Sequence, residues 1–340
     1  MLLLLSLTSA AQVISPFNRL ELKDTSDTYS FIVSGHFHGA STNLSTFPAA
    51  TVLANTDTLN SFQPAFLLTL GDVFLDLDKN YIEHYRRSLF SKLKMPVFNA
   101  VGNHDLSNGD MYEKTFGATW YFFTAGSELF IVLNTEKNDG SIDGAQLEML
   151  QNALKKGEEQ SIKNIFIFSH RPVWSENDPT FAGLFAGNTR TAIGSNNYEK
   201  ELKPLLTAVS KAKPVYWMSG SMANAPASFF YHRDEKTNIT FMQTAIRDLP
   251  RDAVLLVTAN KGAISFKGIS LTGQSLEPVE HYGIEYWKRS VPEEEKFNYR
   301  LLPLMLFKAV THLYFWSGFV IALLLFLLLR FVTKRWKKRK

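Results

Sequence analysis

Four consecutive residues, Gly102-Asn103-His104-Asp105, bring reactive side chains together. Asn offers a neutral carbonyl oxygen, and His offers a ring nitrogen that either ligates a metal or carries a proton. They follow the apolar run Met95 to Val101, which reads as a buried strand. Gly102 lets the backbone turn sharply where that strand ends. Taken alone, the stretch also suits an ordinary turn.

The pattern recurs along the chain. Tyr29 to Val33 ends in Ser34-Gly35-His36-Phe37-His38, and Pro64 to Leu70 ends in Gly71-Asp72-Val73-Phe74-Leu75-Asp76. Ile165 to Phe168 ends in Ser169-His170-Arg171-Pro172, and Pro214 to Met218 ends in Ser219-Gly220-Ser221-Met222-Ala223. Short apolar runs without alternation suit strands covered on both faces. Ligands collect where the carboxyl ends of such strands emerge. Four of these five runs deliver His, Asp or Asn to that edge. Chance supplies one or two; four make a site.

The ordered set resembles the calcineurin-like metallophosphoesterase superfamily, which includes the purple acid phosphatases. Its pattern is Asp-x-His, Gly-Asp-x-x-Asp, Gly-Asn-His-Asp/Glu, a lone His, and Gly-His-x-His. The resemblance covers roughly residues 28 to 270 and is tightest at Gly71-Asp72, Gly102 to Asp105 and Ser169 to Pro172. It implies a four-layer α/β sandwich, two mixed β-sheets packed face to face with helices outside. It also implies one or two divalent ions (Mn, Fe or Zn) that clamp the oxygens of a phosphate ester. In that scheme Asp72 is the shared carboxylate, Asn103 and His170 hold one ion, and His38 helps hold the other. His104 protonates the leaving alcohol as general acid. An activated water attacks, so no Ser or Cys nucleophile is needed, and Asp105 and Asp76 orient the ligands.

The chain departs from the pattern at both ends. His36 stands where the first Asp belongs, and Ser221 and Ala223 stand where the last two histidines belong. Asp76 falls one residue late. Fewer anionic ligands leave two dications less well compensated, so the site should bind metal weakly, hold one ion, or stand empty. His36 and His38 share a face in an extended segment and could grip one ion as a pincer. The other reading is a pair of polar strand-end histidines with no metal. His232, eleven residues beyond Ser221, is a candidate substitute ligand, His84 sits on a helix among Arg and Glu as a surface residue, and His281 and His312 fall in the stalk and at the membrane edge.

Length and composition set bounds. At 340 residues and 45% hydrophobic content, the chain can bury a full core. Net charge is +4, but Arg330 and the six basic residues from Lys334 to Lys340 supply seven positive charges, leaving about −3 elsewhere. The basic balance is a tail and indicates no nucleic-acid partner. The absence of cysteine excludes disulfides, catalytic thiols and thiolate metal sites.

Around the motifs, the spacing predicts helices over Ala49 to Leu59, Lys79 to Leu93, from Asp143 onward, and over Glu199 to Val209. Trp120 to Phe123 and Leu129 to Leu133 read as paired strands of a second sheet, and Ala253 to Val257 and Ala263 to Leu271 as closing strands. Trp174 to Asn197 reads as a loop able to cover the cleft. Met1 to Gln12 is apolar and ends in small residues, like a minimal signal peptide or the end of a longer one; a disordered apolar terminus is the alternative. Ala309 to Leu329 lacks Lys, Arg, Asp and Glu, and at about 1.5 Å per residue spans about 30 Å, enough to cross a bilayer. Basic residues after it place the C-terminus in the cytoplasm and the large domain outside.

The organisation expected is therefore a signal remnant at 1–12, a phosphoesterase domain at 13–273, a stalk at 274–308, a transmembrane helix at 309–329 in contact with lipid, and a basic tail at 330–340. The function expected is membrane-anchored, metal-dependent hydrolysis of a phosphomonoester or phosphodiester. The alternative is a catalytically impaired relative that binds or scaffolds at the membrane surface. Intact Asp72, Asn103, His104 and His170 favour the first, and Ser221 and Ala223 the second.

Overall fold

A computed structural model describes residues 13–23, 25–185, 196–222, 225–290, 302–311 and 313–337. The chain divides into a large unit ending at residue 295 and a C-terminal unit beginning at residue 296. Among the described residues the large unit has eleven strands. They are β1 (Thr28–Ser34), β2 (Leu67–Thr69), β3 (Val97–Asn99), β4 (Tyr121–Ala125), β5 (Glu128–Val132), β6 (Asn164–Ser169), β7 (Val215–Ser219), β8 (Phe229–Asp234), β9 (Ile239–Thr244), β10 (Ala253–Asn260) and β11 (Ala263–Ser270).

One sheet has the order β11-β10-β1-β2-β3, the other β4-β5-β6-β7-β9-β8. Both are mixed. β1, β2 and β3 run parallel, as do β5, β6, β7 and β9, while antiparallel strands flank each group. The alternation of side chains across each strand builds three cores. Phe31, Val33, Leu68, Phe166 and Phe168 meet between the sheets. Their neighbours Ile32 and Leu67 face the helices of the first sheet, and Ile165 and Ile167 those of the second. The inter-sheet layer is aromatic: Phe31 stacks on Phe66 at 4.8 Å, Phe130 on Phe166 at 5.3 Å, and Phe166 on Tyr216 at 4.9 Å. Each fully buried Phe of this layer contributes about 1.5–3 kcal/mol, which fixes the two sheets face to face.

This is the four-layer sandwich the motifs implied. Several helices are shorter than their periodicity predicted. The first breaks at Asn55 into Ala50–Ala54 and Thr56–Ser61, where the Asn55 side chain donates to the Thr51 and Leu271 carbonyls. The second runs Lys79–Tyr85, capped by Asp78, and widens into a π-type turn over Arg86–Phe90. A similar turn, Tyr198–Leu202, precedes the helix Lys203–Ser210. The β8–β9 hairpin was not foreseen.

The first part of the segment read as a stalk packs on the strands of the large unit. Val279, Tyr282 and Trp287 are buried, and Trp287 Nε1–H donates to the Phe229 carbonyl at 2.9 Å. Aromatic area drives this stretch onto the sheet. The C-terminal unit carries helices Leu302–Thr311 and Leu313–Lys337, the latter holding the apolar stretch Leu313–Phe331 with exposed side chains. Met1 to Gln12, residues 291–301, His312 and Lys338 to Lys340 lie outside the described residues.

Candidate metal centre

The carboxyl ends of β1, β2, β3, β6 and β7 meet at one edge. Gly35 pairs in parallel with Ala245 just beyond β9, which joins the two sheets there. The approach is close enough to demand glycine. At Gly71 (φ +84°) a Cβ would lie 2.6 Å from both His170 Nδ1 and the Gly102 nitrogen, and at Gly220 it would lie 2.1 Å from the Leu70 carbonyl oxygen. His36 (φ 55°) and Asp72 (φ 54°) occupy the same left-handed region without that freedom. Such strain costs about 1–3 kcal/mol per residue and gathers at functional positions.

Asp72 is the hub. Its Oδ2 lies 3.4 Å from His170 Nε2, 3.7 Å from His36 Nε2 and 3.8 Å from His38 Nε2. Its Oδ1 accepts the His104 backbone N–H at 3.1 Å. Among the described residues, two groups have ligand atoms within 4.8 Å of one another: His36, Asp72 and His170, and His38, Asp72 and His104. His170 Nδ1–H donates to the Leu70 carbonyl at 2.8 Å and His104 Nδ1–H to that of Leu75 at 2.7 Å, which aims each Nε2 inward. His36 Nε2 and both ring nitrogens of His38 are buried without a hydrogen-bond partner. Orphaned buried nitrogens are costly unless something else satisfies them. Imidazoles around one carboxylate suit Mn, Fe or Zn, so the residues fit a divalent ion.

The electrostatics agree with a site built to share protons or metal. Burial opposes charge on His170, yet the adjacent Asp72 carboxylate overrides it and lifts the imidazole to about 10. Burial pushes His36 and His38 below the usual imidazole range, against the pull of Asp72. Asp72 stays well below the usual carboxylate range: burial works against its charge, and His170, His38 and His36 more than offset that.

A buried frame holds the loops that carry these groups. Asp105 Oδ1 accepts the Phe74 N–H at 3.1 Å, and its Oδ2 accepts the Gly102 N–H at 3.0 Å. Asn99 Nδ2 donates to Asp105 Oδ2 and to the Tyr112 hydroxyl, while Asn99 Oδ1 accepts the Gly71 N–H. Asp105 is pushed up to about 6, first by burial and then by Asp72. Asn99 was missed in the sequence, although a lone Asn in an apolar run is a signal.

The structure thus brings His36, His38, Asp72, His104 and His170 together, with Asn103 half-buried beside His104. Asp76 is exposed and accepts from Ser107 Oγ. Gly220 and Ser221 donate their backbone N–H groups to the His170 carbonyl, so this segment supports the site through its main chain. Ala223 lies outside the described residues. His232 packs edge-on against Phe181 and belongs to neither group. His84, read as a surface residue, instead bonds Thr46 Oγ1 at 2.6 Å and stacks on Phe47. His281 packs against the Tyr282 and Tyr286 rings. In the segment read as a cleft cover, Trp174 and Phe185 anchor on the second sheet's outer core, and residues 186–195 lie outside the described residues.

No family profile and no curated protein matches this sequence. Among solved structures, the chain is similar to a purple acid phosphatase from yellow lupin (Lupinus luteus) seeds. The identity is 12% and the TM-score 0.51, over 75% of this chain and 53% of that one. This chain therefore spans about half the length of that structure, and the likeness shows the fold. A cold-active protein tyrosine phosphatase is a slighter match, at 11% identity and TM-score 0.25 over 70% of this chain and 80% of that one, too slight to carry an argument.

Proposed function

On a purple-acid-phosphatase-like fold with a buried His/Asp cluster at its strand ends, we propose that this chain is a metal-dependent phosphoesterase, acting on a phosphomonoester or phosphodiester. The observation that carries the reading is the set of unpartnered imidazole nitrogens gathered around Asp72. A divalent ion bound there would polarise a phosphoryl oxygen and make water nucleophilic at neutral pH. The protein's own contribution is proton placement and orientation. His104 is half-buried, so a substrate can reach it, and the Leu75 carbonyl fixes its ring by accepting from Nδ1–H. Its Nε2 is left to take up a proton and pass it to the leaving alcohol. Asp72, His38, His170 and Asn103 are the proposed ligands, His36 stands in the cluster as a further candidate, and Asp105 with Asn99 keeps their loops in register. The apolar helix Leu313–Lys337 is proposed to anchor the domain in a membrane, with the basic tail cytoplasmic.

Hydrolysis of p-nitrophenyl phosphate and its bis ester by the purified full chain with Mn²⁺ tests the reading. Asp72→Asn should abolish turnover. His104→Asn should lower it by about 10²- to 10⁴-fold and leave metal content nearly intact. Turnover that survives Asp72→Asn contradicts the site. No turnover above buffer favours a binding or scaffolding protein, the reading that Ser221 and Ala223 support.

A further inference from the structure

The two groups that could hold an ion share Asp72 but present their imidazoles differently. His104 and His170 each aim Nδ1 at a backbone carbonyl, which can only accept. Nδ1 therefore carries the proton, and each neutral ring keeps an open lone pair at Nε2, for a metal in His170 and for a transferable proton in His104. His36 is held the other way round. Its Nδ1 lies 3.3 Å from Arg247 Nη1, and a guanidinium can only donate. The Nδ1 lone pair is occupied, so the proton of the neutral ring sits on Nε2, the nitrogen that faces Asp72. A protonated ring nitrogen cannot ligate.

Strand register sets this contact. The Gly35 N–H donates to the Thr244 carbonyl, and the Ile246 N–H donates to the Gly35 carbonyl at 3.0 Å. Residues 36 and 247 therefore emerge side by side where the sheets meet. The Arg247 backbone N–H is tied in turn to Asp252 Oδ1 at 3.0 Å. Charge points the same way. A guanidinium is always protonated, and a dication in the His36 group would stand next to it while sharing its one carboxylate with a second dication.

We infer that Arg247 keeps His36 from ligating, so that the site takes one divalent ion, on the His38 side of Asp72, with Arg247 supplying fixed positive charge in place of a second. The inference rests on the reading of the cluster as a metal site and makes Arg247 a positioning residue.

Mn²⁺ titration of the purified full chain in detergent, followed by electron paramagnetic resonance, counts the ions and shows whether they are coupled. The wild type is expected to take up one ion with an uncoupled signal. Arg247→Met is expected to take up a second, spin-coupled ion, because His36 Nε2 is released. His36→Gln should change the dissociation constant less than about 3-fold, whereas His38→Gln should raise it about 10-fold or more. Two coupled ions in the wild type, or equal losses from His36→Gln and His38→Gln, would overturn the assignment. An unchanged count in a folded Arg247→Met overturns the role of Arg247. Should that variant unfold by circular dichroism, the wild-type count and the two histidine variants still decide. Each of these failures leaves the hydrolysis assay standing, whereas a chain that binds no ion defeats both readings.

Discussion

Asp72 is placed so that protons and metal compete for the same imidazoles. Without metal, His170 holds a proton against Asp72, with its folded pKa raised to about 10 from an unfolded value near 6.5. A raised His contributes stability that is complete below pH 6.5 and lost as pH rises through 10. The lowered values of His36, His38 and Asp72 act on the acid side and are spent above pH 7, as is the Asp105 value of about 6. The melting temperature in EDTA should therefore fall between pH 7 and 9.5, and His170→Gln should flatten that fall. Saturating Mn²⁺ should reverse it, because binding requires the deprotonated ring. A flat profile in EDTA for the wild type would contradict the pairing. The residues in this exchange were legible because they sit in short motifs at strand ends. Arg247 was not, since a contact made by strand register leaves no local spacing to read, and Asn99 was marked only by being a lone Asn in an apolar run.

At the scale of elements, the apolar runs that became β1, β2, β3, β6 and β7 were legible because strands covered on both faces need no alternation. The β8–β9 hairpin was hidden by Phe229–Asp234, where three aromatics run into a charged end, and by a turn built of charged and polar residues. The aromatic stretch after residue 273 was misjudged for a related reason: charge in Glu277 to Arg300 masks three buried anchors, Val279, Tyr282 and Trp287. Chain ended after residue 290 should be soluble and fold cooperatively. Chain ended at 273 loses Trp287 and its bond to Phe229, and removing one such buried aromatic costs about 3–5 kcal/mol. That shorter chain should melt lower or aggregate. Equal melting temperatures for the two would show that the segment contributes nothing.

At the scale of the whole molecule, one helix among the described residues is long and apolar enough to cross a membrane, by length and composition. Its apolar stretch of 19 residues measures about 28 Å, close to the thickness of a hydrocarbon core. Basic residues follow it and the folded unit precedes it. The expected topology is a single pass with the tail cytoplasmic. Protease added to intact cells should then remove the folded unit and spare a tag on the C-terminus. Protection of the folded unit would contradict that orientation while leaving the site chemistry untouched.

The claim on which the rest depends is that the cluster around Asp72 holds a divalent ion. Elemental analysis for Mn, Fe and Zn tests it most directly, on wild type and Asp72→Asn purified and dialysed side by side. The account predicts about one equivalent of metal in the wild type and a loss of about ten-fold or more in occupancy in the variant. Wild-type protein that carries no more metal than Asp72→Asn would contradict it.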